Sequence, residues 1–225
     1  MKKIAFLTTI FPMQKEYLLD FFNSLKNQTY KDFDIVVVND GYENFDEFKK
    51  VFKELNIVEL PYKNTPAKNR EHGINYCIEK AYDILIFGDS DDYFVQNRVE
   101  KSIELLQNND IVVNDFDLFD ENGIYEEKYI SNRVENNAII KASFIEDKNI
   151  FGLSNSALNL NILKNRVIFE KDIVAVDWFL FKNLLRNGKK AIFTNETISF
   201  YRQHKENIVG LQKKDNIYYL WWEKR

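Results

Sequence analysis

The sequence predicts an α/β fold, with a mostly parallel central sheet flanked by helices and a smaller, less regular C-terminal region. Two observations carry this. Short apolar strand runs alternate with helix-spaced apolar stripes over the first half of the chain, the pattern of parallel strands joined by right-handed crossovers. Asp40 and Asp89 follow two of those runs directly, at the strand ends where such sheets bind ligands.

Ile4 to Thr9 is a continuous apolar run, as expected of a strand buried on both faces. It ends at Pro12 without a small-residue cleavage site, so it reads as a first strand and not a signal peptide. Tyr17, Leu18, Phe21, Phe22 and Leu25 mark one helix face. Ile35 to Val38 is a β-branched strand closed by Asn39-Asp40-Gly41. Phe45, Phe48, Val51, Phe52 and Leu55 form a second helical stripe, and Ile57 to Leu60 a short strand stopped by Pro61. A third helix spans about Ala67 to Ala81, and Ile84 to Phe87 is another buried strand.

Beyond it the periodicity weakens. Val99, Ile103 and Leu106 predict a helix, and Asp110 to Phe119 holds a strand with a hairpin turn at Asp120-Glu121-Asn122-Gly123. Residues 124–150 read as loops and short strands, and Asn155 to Leu163 as helical. A helix follows Asp177 and ends at Asn187-Gly188. Ala191 to Phe193 and Ile198 to Tyr201 read as two strands.

Composition narrows the function. With 225 residues, 45% hydrophobic and 29% charged, the chain is large and apolar enough for a real core. A net charge of -4 argues against nucleic acid as a partner. Cys77 is the single cysteine, which excludes an intrachain disulfide or a cysteine zinc site and fits a reducing, cytoplasmic setting. No apolar stretch approaches the roughly 20 residues of a membrane span. With 7 Gly and 3 Pro there is no flexible linker, and no internal repeat is visible.

The strongest chemical signal is Asp89-Ser90-Asp91-Asp92. Three carboxylates in four positions repel one another unless a positive charge offsets them. A hard divalent cation, Mn²⁺ or Mg²⁺, does so and can also take oxygens of a diphosphate. A solvated acidic turn is the plainer alternative.

The order and spacing of several segments resemble the inverting, nucleotide-sugar-dependent glycosyltransferases of family 2, with the GT-A (Rossmann-like) fold. Ser24 to Tyr30 resembles the family's SLxNQTY segment, and Ile35 to Gly41 its IVVDDGS strand, with Asn39 for the first Asp. Ala67 to Ile74 resembles ARNxGI loosely, with Glu71 for Asn. Ile84 to Tyr93 is similar to ILFLDADDY, and Val176-Asp177-Trp178 to EDW, with Val176 for Glu. Tyr201 to Gly210 matches a C-terminal signature of the form YRQHxxNxxG.

The resemblance implies a single GT-A domain, with residues 1–98 as the nucleotide-sugar-binding half and 99–225 as the acceptor-binding half. It implies Asp89, Asp91, Asp92 and His204 as metal ligands. Thr9, Phe11, Asp40, Arg70, Asp89, Ser90 and His204 would contact the nucleotide sugar. Asp40 could accept from N3–H of uracil or thymine, or close an Asx-type turn. Arg70 offers a planar fork to phosphate, or is a surface helix residue. Asp177 matches the catalytic base, which takes the acceptor hydroxyl's proton; an Asp there also suits a helix N-cap. Asp172 and Glu170 are weaker candidates. Ser154-Asn155-Ser156 could border the sugar or cap a helix. His204 otherwise reads as a loop residue, and His72 as a helix-surface residue.

The tail, Tyr218 to Trp222 with basic flanks, suits a membrane interface, packing on the body, or a second subunit. The implied acceptor is a glycan or lipid-linked hydroxyl, in bacterial surface polysaccharide or glycoconjugate synthesis. Two other readings remain. One is a non-catalytic sugar-nucleotide-binding module. The other is a haloacid-dehalogenase-type phosphohydrolase, whose Asp-x-Asp follows the first strand, with Thr or Val where Tyr93 stands here. No Gly-x-Gly-x-x-Gly follows the first strand, which disfavours a dinucleotide dehydrogenase.

Overall fold

The first half of the chain winds as the alternation predicts. The computed structural model describes residues 2–146, 148–163 and 165–203, with two short strands at 212–214 and 217–219. In order come β1 (Ile4–Ile10), α1 (Lys15–Lys26), β2 (Asp34–Asn39), α2 (Phe45–Val51), β3 (Asn56–Pro61), α3 (Pro66–Glu79) and β4 (Ile84–Phe87). These four strands are parallel and lie in the order β3-β2-β1-β4. The chain leaves β1 in one direction to β3 and returns on its other side at β4, so the order reverses between β1 and β4. Such a reversal opens a crevice at the carboxyl ends of the strands.

Each face of this sheet has its own core. Phe21, Phe22 and Leu25 of α1 and Phe45 and Phe48 of α2 pack over Phe6, Ile35 and Val37. Ala67, Ile74 and Cys77 of α3 pack on the opposite face with Leu7, Val36 and Val38. Thr65 caps α3 through its hydroxyl, with Pro66 in the first turn, where a missing N–H costs nothing. Gly73 lets α3 lie close to the sheet: a Cβ there would stand 2.6 Å from Leu7 Cδ1 and 2.9 Å from Val38 Cγ2.

The second half extends the sheet. Its elements are β5 (Tyr93–Phe94), α4 (Arg98–Leu105), β6 (Ile111–Asp120), β7 (Gly123–Glu126), β8 (Ile139–Ile140), β9 (Ser156–Asn159), α5 (Val176–Arg186), β10 (Ala191–Arg202), β11 (Gln212–Lys214) and β12 (Ile217–Tyr219). The main strand order is β3-β2-β1-β4-β9-β6-β10-β5. The β6–β7 hairpin stands where the turn signal put it. Arg98 is fully buried at the start of α4, donating to Ser102 Oγ at 2.7 Å and to Ser156 O at 3.3 Å.

Two expectations are corrected. Asn155 to Leu163 is not a helix: it holds β9 and a single 3-10 turn, Leu160–Ile162. β9 lies antiparallel between β4 and β6, with Ala157 and Leu158 fully buried. Ala157 and Leu158 enter the cores on opposite faces of the sheet, and two adjacent apolar residues carry no period that separates strand from helix. Ala191 to Tyr201 is one strand rather than two, its register against β6 shifting between Thr194 and Ile198. The polar Asn195-Glu196-Thr197 interruption is an irregularity within a strand, not a strand end. Among the described residues, no helix is long and apolar enough to cross a membrane.

Gly73→Ala should overpack the α3–sheet contact. Denaturant unfolding should show a loss of about 1–3 kcal/mol, with an unchanged m-value.

Candidate active site

A cavity of about 590 Å³ opens at the carboxyl ends of the strands, at the reversal between β1 and β4. Its walls include Thr9 and Phe11 from the end of β1, Asp40 after β2, Arg70 of α3, Asp89 to Asp91 after β4, and Asp177 of α5. The volume is that of a site for a ligand of cofactor size.

At the end of β2, two adjacent residues divide the work. Asn39 makes the turn: its Oδ1 accepts from Tyr42 N at 2.8 Å, and its Nδ2 donates to Glu59 Oε1 at 2.7 Å. Gly41 follows at φ +87°, a left-handed conformation that glycine takes without strain. The turn chemistry expected of Asp40 belongs to Asn39, and Asp40 lines the cavity.

The acidic corner is fixed residue by residue. Asp89 N donates to Ser154 Oγ at 3.0 Å, and Ser90 Oγ donates to Thr9 O at 2.8 Å. Ser90 is 1% exposed, so its hydroxyl ties the corner to β1. Asp89 and Asp91 line the cavity, whereas Asp92 does not. Asp92 is fully buried; its Oδ1 accepts from Arg202 N at 2.7 Å and its Oδ2 from the Ser154 hydroxyl. Each oxygen accepts a hydrogen bond from the protein, so Asp92 braces the corner. Burial pushes the carboxyls of Asp89 and Asp92 above the usual range, and the neighbouring Asp91 charge adds to both shifts.

Arg70 sits against the corner, with NH2 3.0 Å from Asp89 Oδ1. Asp177 lies in the first turn of α5, while the N-cap position falls at Ala175. One oxygen is committed nonetheless: Oδ1 accepts from Trp178 N at 2.7 Å. Burial pushes the Asp177 carboxyl up to about 6; the Trp178 N–H and the Arg70 charge oppose this, and the Asp89 charge reinforces it. Asp172 also lines the cavity.

Of the remaining wall, sequence reasoning named only Ser154 and Asn155. Phe116 of β6 and Tyr129 and Ile130 beyond β7 line it, as does the segment from Asn149 to Asn155. Asp115 holds this wall, accepting from Ile130 N at 2.8 Å, from Phe116 N at 3.0 Å and from the Ser131 hydroxyl. The available signal was Asn114-Asp115-Phe116-Asp117, polar residues inside an otherwise apolar strand. Ser154 is buried with its hydroxyl donating to Asp92 Oδ2, and Ser156 is buried away from the cavity. Glu71 and His72 of the third-helix motif have visible uses. Glu71 accepts from Lys68 Nζ at 2.8 Å and from Phe169 N at 2.5 Å. His72 stacks on Tyr62 at 4.2 Å. His204 and the aromatic, basic tail lie outside the described residues, apart from the two short strands.

Among the described residues, no three His, Cys, Asp or Glu side chains are grouped to hold a metal ion by themselves. Asp89 and Asp91 form a pair of hard oxygen donors on one cavity wall. Mg²⁺ characteristically takes one or two carboxylates and completes its shell with water and phosphate oxygens. The pair therefore fits a cation that arrives with a phosphate-bearing ligand.

A parallel sheet of this order, with acidic residues after β4 and an antiparallel strand beyond it, is the GT-A fold of glycosyltransferases. Residues 9–163 match the family model Glycosyl transferase family 2, and the chain belongs to that family. It is 24% identical over 214 residues to an uncharacterized glycosyltransferase of Methanocaldococcus jannaschii, covering 91% of this chain and 72% of that one. A second such protein, from Rickettsia bellii, is 30% identical over 123 residues, covering 52% of this chain but only 17% of its own length.

Among solved structures, S. aureus TarS superposes with a TM-score of 0.69 at 19% identity, covering 89% of this chain and 37% of TarS. TarS residues 1–349 in complex with UDP-GlcNAc gives 0.70 at 17% identity, covering 91% of this chain and 60% of that one. GalNAc-T7 with UDP, GalNAc and Mn²⁺ gives 0.69 at 12% identity, covering 91% and 44%.

Asp92→Ala should leave Ser154 Oγ and Arg202 N without their buried acceptor. A loss of about 1–3 kcal/mol is expected in equilibrium unfolding.

Proposed function

We propose that this chain is a metal-dependent inverting glycosyltransferase. It moves a sugar from a nucleoside-diphosphate sugar, of UDP or dTDP type, to a hydroxyl of a glycan or lipid-linked acceptor. The process served is bacterial surface polysaccharide or glycoconjugate synthesis, at the cytoplasmic face of the membrane. The observation that carries this reading is the shared cavity: Asp40, Arg70, Asp89, Asp91 and Asp177 converge on one space at the strand reversal. Solved GT-A proteins bound to UDP-GlcNAc, and to UDP with Mn²⁺, support it.

Residues 1–98 hold the donor. Asp40 accepts from the N3–H of the base, with Thr9 and Phe11 beside it. Arg70 exchanges its contact with Asp89 for the diphosphate oxygens. Asp89 and Asp91 hold Mn²⁺ or Mg²⁺, which when bound offsets charge growing on the departing diphosphate. His204 is assigned to the diphosphate and the cation, from the sequence signature alone. Residues 99–225 hold the acceptor, and the aromatic, basic tail is assigned to peripheral membrane contact.

Asp177 is the base. Its Oδ1 is held by Trp178 N, so Oδ2 takes the acceptor proton. The acceptor oxygen attacks the anomeric carbon from the face opposite the diphosphate. The bond to the diphosphate breaks with its electron pair on the leaving group, and the configuration inverts. A carboxyl raised to about 6 is a stronger base than an ordinary aspartate and is still ionised at neutral pH.

Two measurements test this. Asp177→Asn should bind UDP within about twofold of the wild type, yet lose transfer by about 10²–10⁴-fold. Transfer at the wild-type rate would remove Asp177 from the mechanism, and UDP binding without transfer by the wild type across a broad acceptor panel would favour a binding module. Because the carboxyl must be deprotonated to act, kcat/KM should level off above about pH 6. Below that it should fall about tenfold per pH unit.

A further inference from the structure

The acidic corner is gripped from outside the cavity by one side chain that the transfer scheme does not use. Arg202 is the last residue of β10. Its Nε donates to Asp91 O at 2.7 Å, and its backbone N donates to Asp92 Oδ1 at 2.7 Å. Its NH2 reaches Asp20 Oδ2 of α1 at 2.7 Å. The guanidinium lies 4.3 Å from the ring centre of Tyr17 and 4.5 Å from that of Phe119. The side chain is only 13% exposed.

These contacts hold the Asp91 carbonyl and the Asp92 carboxylate. On the other side of Asp91, Ser90 is tied to Thr9 O. The Cα–Cβ direction of Asp91 is thereby set at both flanks, while its carboxylate lies on the cavity. A ligand set from a flexible turn must be ordered when the cation arrives, and that ordering weakens binding. Residues that fix the ligands beforehand are a large share of what determines metal affinity.

We propose that Arg202 is a positioning residue that presets Asp91 for the cation–diphosphate. The inference rests on the metal-dependent reading above. It assigns the Arg of the C-terminal signature a task separate from donor contact. Arg202 also joins α1 to the end of β6 through Tyr17 and Phe119, so the corner is held relative to both halves of the sheet. A lysine could keep the charge facing Asp20, but a single amine cannot reproduce the planar fork with its several directed donors.

The test is Mn²⁺ uptake in the presence of UDP, followed by the electron paramagnetic resonance of free Mn²⁺. UDP binding in EDTA is measured alongside it by calorimetry. Arg202→Met should weaken Mn²⁺ uptake about tenfold and leave UDP binding in EDTA within about twofold. Arg202→Lys should fall between, at about threefold. Asp20→Asn, which removes only the half-exposed end of the ion pair, should change uptake by less than about twofold.

Wild-type Mn²⁺ affinity in Arg202→Met overturns the proposal. So does an equal loss of UDP binding in EDTA, which is the mark of general structural damage. If Arg202→Met shows no cooperative thermal transition, Arg202→Lys decides, and wild-type uptake by it overturns the proposal. A wild-type protein that takes up no Mn²⁺ with UDP refutes the metal-dependent reading itself, and is seen before any variant is made.

Discussion

Three carboxylates held within four residues are the constraint on which the site depends. Placed in a protein interior, like charges at this spacing repel far more strongly than they would in water. The fold answers with different partners for different members. Asp92 is turned inward and given the Ser154 hydroxyl and the Arg202 amide. Asp89 faces Arg70. Asp91, between them, is held through its backbone by Arg202 Nε. Because each flank is anchored to a different element, the corner cannot relax by swinging apart, and the charge stays concentrated on the cavity wall. Under the metal-dependent proposal, that repulsion is what a bound cation would relieve.

The rest of the architecture makes that anchoring possible. The corner begins after β4, which is hydrogen-bonded to β1 on one side and β9 on the other and has four buried residues in a row. Gly88 admits Phe6 and Phe94 where any Cβ would collide: the nearest ring carbon would stand 2.4 Å away. The chain thus leaves the sheet at one defined point. β9 delivers the Ser154 segment to the corner from one side, and β10 delivers Arg202 from another. Residues 62 and 110 positions away in sequence meet Asp92 because two later strands were added to the first sheet.

This division explains which parts were legible in the sequence. β1, β2 and β4 could be read directly because they are buried on both faces, α1 to α3 from their helical stripes, and the half-buried β3 from a short apolar run closed by Pro61. The strand ends then placed Asp40 and Asp89 on one crevice without further information. β9 could not be read, because Ser156-Ala157-Leu158-Asn159 has only two apolar residues between polar ones and no β-branched residue. Nor could the different fates of Asp91 and Asp92 be told from composition. They are adjacent and chemically identical, and only the later strands decide that one faces the cavity and the other the Ser154 hydroxyl. The alternative kept for Asp40, an Asx turn, falls to its neighbour for a related reason: Asn39 and Asp40 can both close such a turn, and Asn39 is the one held by Tyr42 N and Glu59.

Val176 shows how a local departure from a familiar pattern shapes the chemistry beside it. An acidic residue at this position would set a second carboxylate next to Asp177. Val176 is 4% exposed and lines the cavity instead. Asp177 therefore has no ionised sequence neighbour at that position, and its raised carboxyl owes most to burial, with Asp89 contributing charge from across the cavity. A shift produced by burial depends on lost solvation, so salt that screens the acidic corner leaves it in place. The Asp89 repulsion is the part that salt weakens, and the opposing Arg70 attraction weakens with it. Burial therefore remains the largest cause of the raised Asp177 carboxyl.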